Sequence, residues 1–555
     1  MKVLIVIAVI AVVIAIILII GKISEKQREL RFRGRLEREF SKPLDFEYSR
    51  ERENAMQGYF LHHNDDGFFV DDITWNDFGV SDFIMKYNHS YSSPGDEYMY
   101  YRLRTPVLSE EEGNFAHLEE TVSVMEKNKT FRQNFQVIMA RLGRSGKFSL
   151  YTYLDFLSEV EKDKPVLTIL SWLVYIAAVV LMFFNFFPGL MLMIFWVCVN
   201  VVAYLIRKKK IEPYFNSFTY ILRLLKATDA CLKILPDEFE VERKALKEAK
   251  SKLRGISSGN IVFLQSGSSD AVTDIGNGLM NFIKMFFHLD IFIFYRMKEQ
   301  IENNSDAVDT IFTTLGKMDM AVNIASYRAI LPYYSAPEFS DKCVYETEEM
   351  IHPLLLDEGV ANSISVHKGT LLTGSNASGK STFLRMIGLN ALLAQSMHTV
   401  YAKKYNAGFF RIYSSMSLRD SLQNHESYYM AEIKSVKRIL EQSEDTSSYL
   451  LCFVDEVLRG TNTKERIAAG AQIMRYMQQK HTLCFAATHD IELAHMLPPD
   501  FENYHFDEEI EENDISFPYR LKEGYATSRN AIALLRIMGY PDEIVKKAGE
   551  TVETL

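Results

Sequence analysis

A glycine-rich turn between an apolar run and a helical segment constrains the fold of this 555-residue chain most strongly. Residues 369–373 are apolar or small and lead into Gly374-Ser-Asn-Ala-Ser-Gly-Lys-Ser-Thr382, which the helical sequence FLRMIGLNALLAQ follows. This fits GxxxxGK[ST] in the strand–loop–helix context that a phosphate-binding loop requires. Glycines let the backbone wrap phosphate oxygens, and the amides at the helix start supply donors and a favourable dipole. The motif predicts a nucleotide site in an α/β domain.

Each predicted site residue has a role that follows from its chemistry. Lys380 would bridge the β- and γ-phosphates of ATP, and Ser381 would bind Mg²⁺. A buried-strand run at residues 449–454 ends in Asp455 and Glu456. There Asp455 would hold the water shell of Mg²⁺, and Glu456 would polarise the attacking water. The predicted cofactors are therefore ATP and Mg²⁺.

A third strand-like run, residues 482–487, ends at Thr488 and His489. A histidine at this position would sense or contact the γ-phosphate, although a lone histidine is more often structural. Three strand-end motifs in this order predict an ATPase with His489 as a second catalytic residue beside Glu456. From residue 345 onward, strand-like runs alternate with amphipathic helices, which is typical of an α/β domain.

Two apolar blocks outside this domain predict membrane segments. Residues 3–20 read VLIVIAVIAVVIAIILII, which is nearly long enough to span a hydrocarbon core of about 30 Å. A cleaved signal peptide is the alternative, but the run is long and no small-x-small site follows it. Many basic residues follow this run, whereas only Lys2 and the amino terminus precede it. The positive-inside rule then places the bulk of the chain in the cytoplasm.

The second block, residues 166–206, is split by Asn185-Phe-Phe-Pro-Gly189, and each piece is long enough to cross a membrane. Basic residues flank both ends, namely Lys162 and Lys164 before it and Arg207-Lys-Lys-Lys210 after it. This predicts a transmembrane helical hairpin with both ends in the cytoplasm. A buried pair of helices in a soluble domain is the alternative. The predicted location is the inner (cytoplasmic) membrane, as a multi-pass protein with its ATPase domain in the cytoplasm.

The motifs resemble those of the MutS family. The family's phosphate-loop motif TGPNMGGKST is similar to Thr373-Gly-Ser-Asn-Ala-Ser-Gly-Lys-Ser-Thr382, including the asparagine at Asn376. Its motif DEIGRGTST is similar to Asp455-Glu-Val-Leu-Arg-Gly-Thr-Asn-Thr463. The family motif ATHYFEL is similar to Ala487-Thr-His-Asp-Ile-Glu-Leu493. The family motif STFxxEM is similar to Glu426-Ser-Tyr-Tyr-Met-Ala-Glu432. The family's serine in the last motif reaches the nucleotide of a partner subunit, which implies a homodimer with Ser427 acting in trans. The nucleotide-binding residues implied by these motifs are Gly374, Asn376, Gly379, Lys380, Ser381, Thr382 and Ser427.

This resemblance implies an α/β P-loop NTPase domain of the ABC-like MutS type, preceded by a mainly α-helical core and lever domain. The resulting division is a transmembrane anchor (1–21), the start of the helical core (22–164), the hairpin (165–206), a lever region (207–344) and the ATPase domain (345–555). The family's mismatch-reading domain has no counterpart, and residues 256–274 are the one short candidate for its DNA-gripping clamp.

The net charge of −10 argues against binding polyanions by bulk attraction, so any DNA contact needs a local basic surface. Two functions stay open. One is an ATP-driven dimeric switch that also contacts DNA in mismatch repair or damage sensing, and the other is a nucleotide-controlled membrane scaffold or signalling switch that does not act on DNA. The five cysteines are scattered, which argues against a zinc site or a disulfide framework.

Overall fold

A computed structural model describes most of the chain. The residues outside the described part are 1, 46, 65–66, 161–165, 257–284, 376–377, 417–427, 460, 480, 498–499, 512–513, 527–534, 536–537 and 555. Two predicted site residues, Asn376 and Ser427, lie outside the described residues, as does nearly all of the clamp candidate at residues 256–274.

The N-terminal part of the chain is helical, as predicted. Its helices are α1 (Lys2–Glu39), α2 (Arg50–Met56), α3 (Gly58–His62), α4 (Asp72–Asp77), α5 (Val80–Tyr87), α6 (Ser93–Arg104), α7 (Glu110–Gly113), α8 (Phe115–Lys127), α9 (Lys129–Leu142), α10 (Leu150–Glu159), α11 (Val166–Phe184), α12 (Phe186–Ile211), α13 (Phe215–Ile234), α14 (Glu240–Lys252), α15 (Leu289–Glu302) and α16 (Ser305–Ile330).

Helix α16 lies at the centre of this helical region. Every residue from Met318 to Arg328 is buried, because neighbouring helices cover all its sides. Helix α6 crosses it so closely that a Cβ added at Gly316 would lie 2.7 Å from the Pro94 carbonyl oxygen. At the C-terminal end of α16, the Arg328 guanidinium donates to the carbonyl oxygen of His398 (3.0 Å). His398 directly follows the helix Lys380–Met397, which starts in the glycine-rich loop. The helical region is therefore anchored to the C-terminal α/β domain at this point.

The predicted hairpin consists of two helices, α11 and α12, which pack against each other and are separated at Asn185. The predicted turn is shorter than expected, because Pro188 is accommodated in the first turn of α12, where the missing backbone N–H is not needed. Among the described residues one helix, Phe186–Ile211, is long and apolar enough by length and composition to cross a membrane, with a mean hydropathy of 2.3. Residues 169–184 form a shorter apolar helix.

Polar side chains connect the hairpin to the helical region. The Ser171 hydroxyl donates to the Asn200 side-chain oxygen (2.5 Å), and the Asn200 amide donates to the Phe286 carbonyl (3.0 Å). The Tyr204 hydroxyl donates to the Asp290 carboxylate (2.7 Å) at the start of α15. The hairpin is thus joined by side-chain hydrogen bonds to the start of α15 and to the residues just before it.

The C-terminal part is a mixed α/β domain, as predicted. Its strands are β1 (Glu338–Phe339), β2 (Tyr345–Met350), β3 (Asn362–Val366), β4 (Gly369–Thr373), β5 (Lys404–Ala407), β6 (Phe410–Ser415), β7 (Tyr449–Asp455), β8 (Thr482–Thr488), β9 (Phe501–His505), β10 (Glu509–Glu511), β11 (Asp514–Ser516) and β12 (Lys522–Glu523). Its helices are α17 (Lys380–Met397), α18 (Tyr428–Ser443), α19 (Thr463–Met477), α20 (Ile491–Met496) and α21 (Asp542–Thr554).

The larger sheet has the strand order β12-β9-β4-β8-β7-β6, with β9, β4, β8, β7 and β6 parallel. Strands β4, β7 and β8 are almost wholly buried, which explains their continuous apolar sequences. Cys452 on β7 and Cys484 on β8 are neighbours in the strand register, and both are fully buried free cysteines. Strand β1, which precedes residue 345, pairs with β5 in a second sheet of order β1-β5-β2-β3.

Helix α4 holds the edge of the larger sheet. The Asp77 carboxylate accepts from the Ser414 hydroxyl (2.6 Å) and the Met416 amide (2.9 Å), and the Thr74 hydroxyl oxygen accepts from the Ser414 amide (3.0 Å). These side chains satisfy polar groups at the carboxyl end of β6, where the ladder stops. The segment that carries Ser427 starts directly beyond this point.

Candidate nucleotide site

The glycine-rich loop joins β4 to α17. Gly374 has φ +140° and Gly379 has φ +103°, which an L side chain rarely adopts, so both positions favour glycine. The Lys380 ammonium is buried and donates to the carbonyl oxygens of Gly374 (2.7 Å) and Ser375 (2.8 Å). Burial lowers the pKa of Lys380 to about 8, against the opposing effect of the Asp455 and Glu456 charges. The loop therefore places a cation where phosphate oxygens would replace its two carbonyl partners.

Ser381 and Asp455 meet in the structure, although they lie far apart in sequence. The Ser381 hydroxyl donates to an Asp455 carboxylate oxygen (2.5 Å), because α17 starts beside the carboxyl end of β7. Burial raises the pKa of Asp455, against the lowering effects of the Ser381 hydrogen bond and of Arg459. A hydroxyl and a carboxylate are oxygen ligands that suit Mg²⁺, which keeps several of its waters. The two residues therefore fit the predicted metal.

Glu456 and His489 also lie together, at the ends of β7 and β8. One Glu456 carboxylate oxygen lies 2.5 Å from Nε2 of His489, and the other lies 2.5 Å from Nε of Arg459. Burial alone would raise the pKa of Glu456, but His489, Arg459 and Lys380 lower it overall. Glu456 has φ +57° and Leu458 has φ +60°, so a tight turn directs the carboxylate into the site.

Arg459 was not identified as a site residue from sequence, although it lies within the motif after Asp455. Its Nη2 atom is 4.0 Å from an Asp455 oxygen, and its backbone amide donates to the Glu432 carboxylate (3.1 Å) on α18. Arg459 lies four residues after the end of β7, and in the sequence only the family motif marked this position. A spatial role appears once β7, β8 and α18 are assembled.

A cavity of about 350 Å³ opens beside the glycine-rich loop. Its lining includes Thr382, which is exposed, and Gly379, where an added Cβ would lie 2.9 Å from the Tyr519 ring. Sequence reasoning missed the other walls of this cavity, because they come from distant parts of the chain. These further lining residues include His352, Leu355, Asn362, Met386, Phe506 and Tyr519. A mixed polar and apolar cavity of this size next to a phosphate loop can hold a nucleoside.

The comparisons with known proteins agree with the motifs. A family model described as MutS domain V matches residues 370–555. MutS protein homolog 4 of Homo sapiens is 25% identical over 343 residues, covering 59% of this chain and 35% of the human protein. The DNA mismatch repair protein MutS of Thermotoga sp. (strain RQ2) is 30% identical over 270 residues, covering 47% of this chain and 33% of that protein.

A third relative, the DNA mismatch repair protein MutS of Persephonella marina, is 25% identical over 336 residues, covering 59% of this chain and 36% of that protein. The chain thus spans about a third of the length of these relatives. The match includes the glycine-rich loop and the ends of β7 and β8, where the site is assembled. On these grounds residues 370–555 belong to the MutS family as its domain V.

Proposed function

We propose that this chain is a MutS-like ATPase that binds ATP with Mg²⁺ and hydrolyses it to ADP and phosphate. The observation that carries the proposal is a convergence of three groups at the carboxyl ends of β4, β7 and β8. These groups are the buried Lys380 ammonium, the Ser381–Asp455 oxygen pair and the Glu456 carboxylate. Ligands of open α/β sheets bind outside the carboxyl ends of the strands.

The proposed roles follow from the geometry. Lys380 exchanges its two carbonyl partners for phosphate oxygens, and its charge offsets the charge of the triphosphate. Ser381 and Asp455 would hold Mg²⁺, which supplies positive charge to the phosphate oxygens. Glu456 orients and polarises the attacking water, while His489 fixes the carboxylate from its other side. The neighbouring cavity would take the nucleoside.

We further propose that two copies close face to face around their nucleotides. The support is the family motif around Ser427, which would reach the phosphates held by the partner's loop. Helix α18, which follows Ser427, is joined to the turn after Asp455 by the Glu432–Arg459 contact. A change at the dimer contact would then be transmitted to the residues that surround the water.

Attachment to the inner membrane is also a proposal. Its support is the apolar helix Phe186–Ile211 with its basic end at Arg207–Lys210, together with the outward-facing apolar side chains of both hairpin helices. The side chains of Phe183 and Phe184 at the hairpin tip are 87% and 85% exposed, which is costly in water and favourable in hydrocarbon. The ATPase domain would then lie in the cytoplasm.

Handling of DNA is a second candidate function, favoured by the names of the relatives, two of which are DNA mismatch repair proteins. A nucleotide-controlled membrane switch that does not act on DNA is the competing candidate. A salt-dependent mobility shift of duplex or branched DNA distinguishes them, because phosphate contacts weaken steeply as salt rises. Absence of binding at low salt would leave the membrane switch.

The ATPase proposal is tested with purified full-length protein and its Glu456→Gln variant. We expect the variant to keep MgATP binding and to lose hydrolysis by about a hundredfold or more, since a positioned acid–base group contributes about 10²–10⁴-fold. Glu465→Gln is the matched control, because Glu465 is exposed on the following helix. Equal hydrolysis rates in the Glu456→Gln variant and the unchanged protein would remove the catalytic assignment.

A further inference from the structure

Arg459 occupies the position between the two acidic residues of the site. Its Nε atom lies 2.5 Å from Glu456, and its Nη2 atom lies 4.0 Å from Asp455. His489 takes the second Glu456 oxygen at 2.5 Å, so both oxygens of this carboxylate have a cationic or hydrogen-bonding partner. A carboxylate held in this way is poorly available to orient a water molecule. Arg459 must therefore withdraw from Glu456 before this carboxylate oxygen can orient a water molecule.

The contact is built into the local backbone. The turn from Glu456 to Arg459 contains two non-glycine residues in the left-handed region, at Glu456 and Leu458. The Arg459 amide is fixed by the Glu432 carboxylate, which is 4% exposed. Arg459 itself keeps 41% of its side chain exposed, so the guanidinium can leave without disturbing packed neighbours. Because its backbone is held and its side chain is partly exposed, Arg459 can change its side-chain position without a change in the turn.

Charge balance explains why the arginine lies there. Asp455 and Glu456 place two carboxylates side by side, and the Lys380 ammonium donates to the loop carbonyls and not to them. The Arg459 cation lies near both carboxylates and reduces their mutual repulsion. A divalent cation at Ser381 and Asp455 would meet the guanidinium at the same carboxylate, and like charges at that distance repel.

We propose that Arg459 is a resting-state counter-cation that competes with Mg²⁺ for the two carboxylates and keeps Glu456 inactive until the metal arrives. This inference rests on the proposed ATPase function and adds a regulation to its site. Binding of the metal with its nucleotide displaces the guanidinium from Asp455, and its release from Glu456 leaves one carboxylate oxygen available for water. No covalent step involves Arg459, which is a positioning residue.

The test measures metal binding separately from turnover. Mn²⁺ is used as the probe, and the free ion is quantified by electron paramagnetic resonance in the presence of a non-hydrolysable ATP analogue and the full-length protein. We expect Arg459→Met to bind Mn²⁺ about fivefold more tightly, because a partly exposed ion pair of about 1 kcal/mol is removed. Arg459→Lys keeps the charge and should return the affinity towards that of the unchanged protein.

Lys464→Met is the matched control, since Lys464 is exposed and lies a few residues further along the chain. It removes the same charge and should leave the Mn²⁺ affinity unchanged. The Mg²⁺ concentration for half-maximal hydrolysis should fall in Arg459→Met by the same factor as the Mn²⁺ constant. Weaker or unchanged Mn²⁺ binding in Arg459→Met would overturn the competition.

The two levels of the proposal fail differently. If the unchanged protein binds neither the analogue nor Mn²⁺ with it, the ATPase function itself is refuted. If the unchanged protein binds both and hydrolyses ATP while Arg459→Met shows no tighter metal binding, only the competition is refuted. A thermal unfolding scan of each variant verifies that the compared proteins are folded.

Discussion

Replacing Asp319 by asparagine changes the protonation balance in the centre of the helical region. Asp319 lies on α16 and is fully buried, and its carboxyl oxygen accepts from the Ser92 hydroxyl (3.0 Å). Burial raises the pKa of Asp319 to about 7, and the nearby Asp96 carboxylate adds to the rise. Burial would also raise the pKa of Asp96, but its pairing with Arg52 and Arg144 lowers that pKa overall. Asp319 is thus the group of this cluster that gains a proton on folding.

The magnitude follows from the linkage between protonation and folding. The folded pKa of about 7 exceeds the ordinary value of 3.8 by about three, and each unit corresponds to 1.36 kcal/mol, giving about 4 kcal/mol as an upper value. Because the folded pKa is raised, this stability is fully present below pH 3.8 and is lost as the pH rises through about 7. Asparagine has a similar shape, accepts the Ser92 hydrogen bond and carries no charge at any of these pH values.

The assay is thermal unfolding of detergent-purified protein at a fixed scan rate, between pH 5 and pH 9. We expect Asp319→Asn to unfold at a higher temperature than the unchanged protein at both ends of this range, and by a larger margin at pH 9 than at pH 5, since the loss begins above pH 3.8 and ends near pH 7. Asp309→Asn is the control on the same helix, because the partners of Asp309 lower its pKa against the effect of burial. That variant should lose stability at neutral pH and above. A lower unfolding temperature for Asp319→Asn at pH 9, or an unchanged pH dependence, would refute the reasoning.

Three further predictions concern the contact between α17 and Phe78, the glycine-rich loop and the membrane. Gly388→Ala places a Cβ 2.3 Å from the Phe78 ring and should cost roughly 1–3 kcal/mol in thermal unfolding. Gly549→Ala, inside α21, meets no atom within 4 Å and should be neutral or slightly stabilising, because alanine favours a helix over glycine. Equal effects of the two changes would contradict the packing. Lys380→Met should weaken equilibrium ATP binding by about tenfold or more, since a charged hydrogen-bonding partner is worth about 1.5–3 kcal/mol; unchanged affinity would exclude the lysine from the phosphate site. The full chain should stay in the membrane pellet after alkaline extraction, and its release into the supernatant would contradict insertion of the hairpin.

The local parts of the site could be predicted from sequence. The glycine-rich loop is encoded by adjacent residues, and the buried strands β7 and β8 appear as apolar runs that end in polar side chains. The coarse fold and the family were therefore predicted and confirmed, since both depend on such local patterns. The hairpin break at Asn185 was also visible, although the turn is shorter than the Asn185–Gly189 sequence indicated.

The parts that depend on distant contacts could not be predicted. The place of Arg459 in the site depends on Glu432, which lies on α18 and accepts from its backbone amide, and on His489 directly after β8, which contacts the same Glu456 carboxylate. The cavity beside Gly379 is closed by Tyr519, which lies far along the chain. Such convergences follow from strand order and helix packing, which periodicity does not specify. The buried Asp319 is a further example, because its environment comes from residues more than two hundred positions away.

The central claim is that the loop from Gly374 to Thr382, together with Asp455, binds ATP through Mg²⁺. Equilibrium binding of labelled ATP to the purified full-length protein, with Mg²⁺ and with a chelator in its place, tests this claim most directly. The account predicts saturable binding below millimolar ATP that is strongly weakened by the chelator. No saturable binding at millimolar ATP with Mg²⁺ present would contradict it.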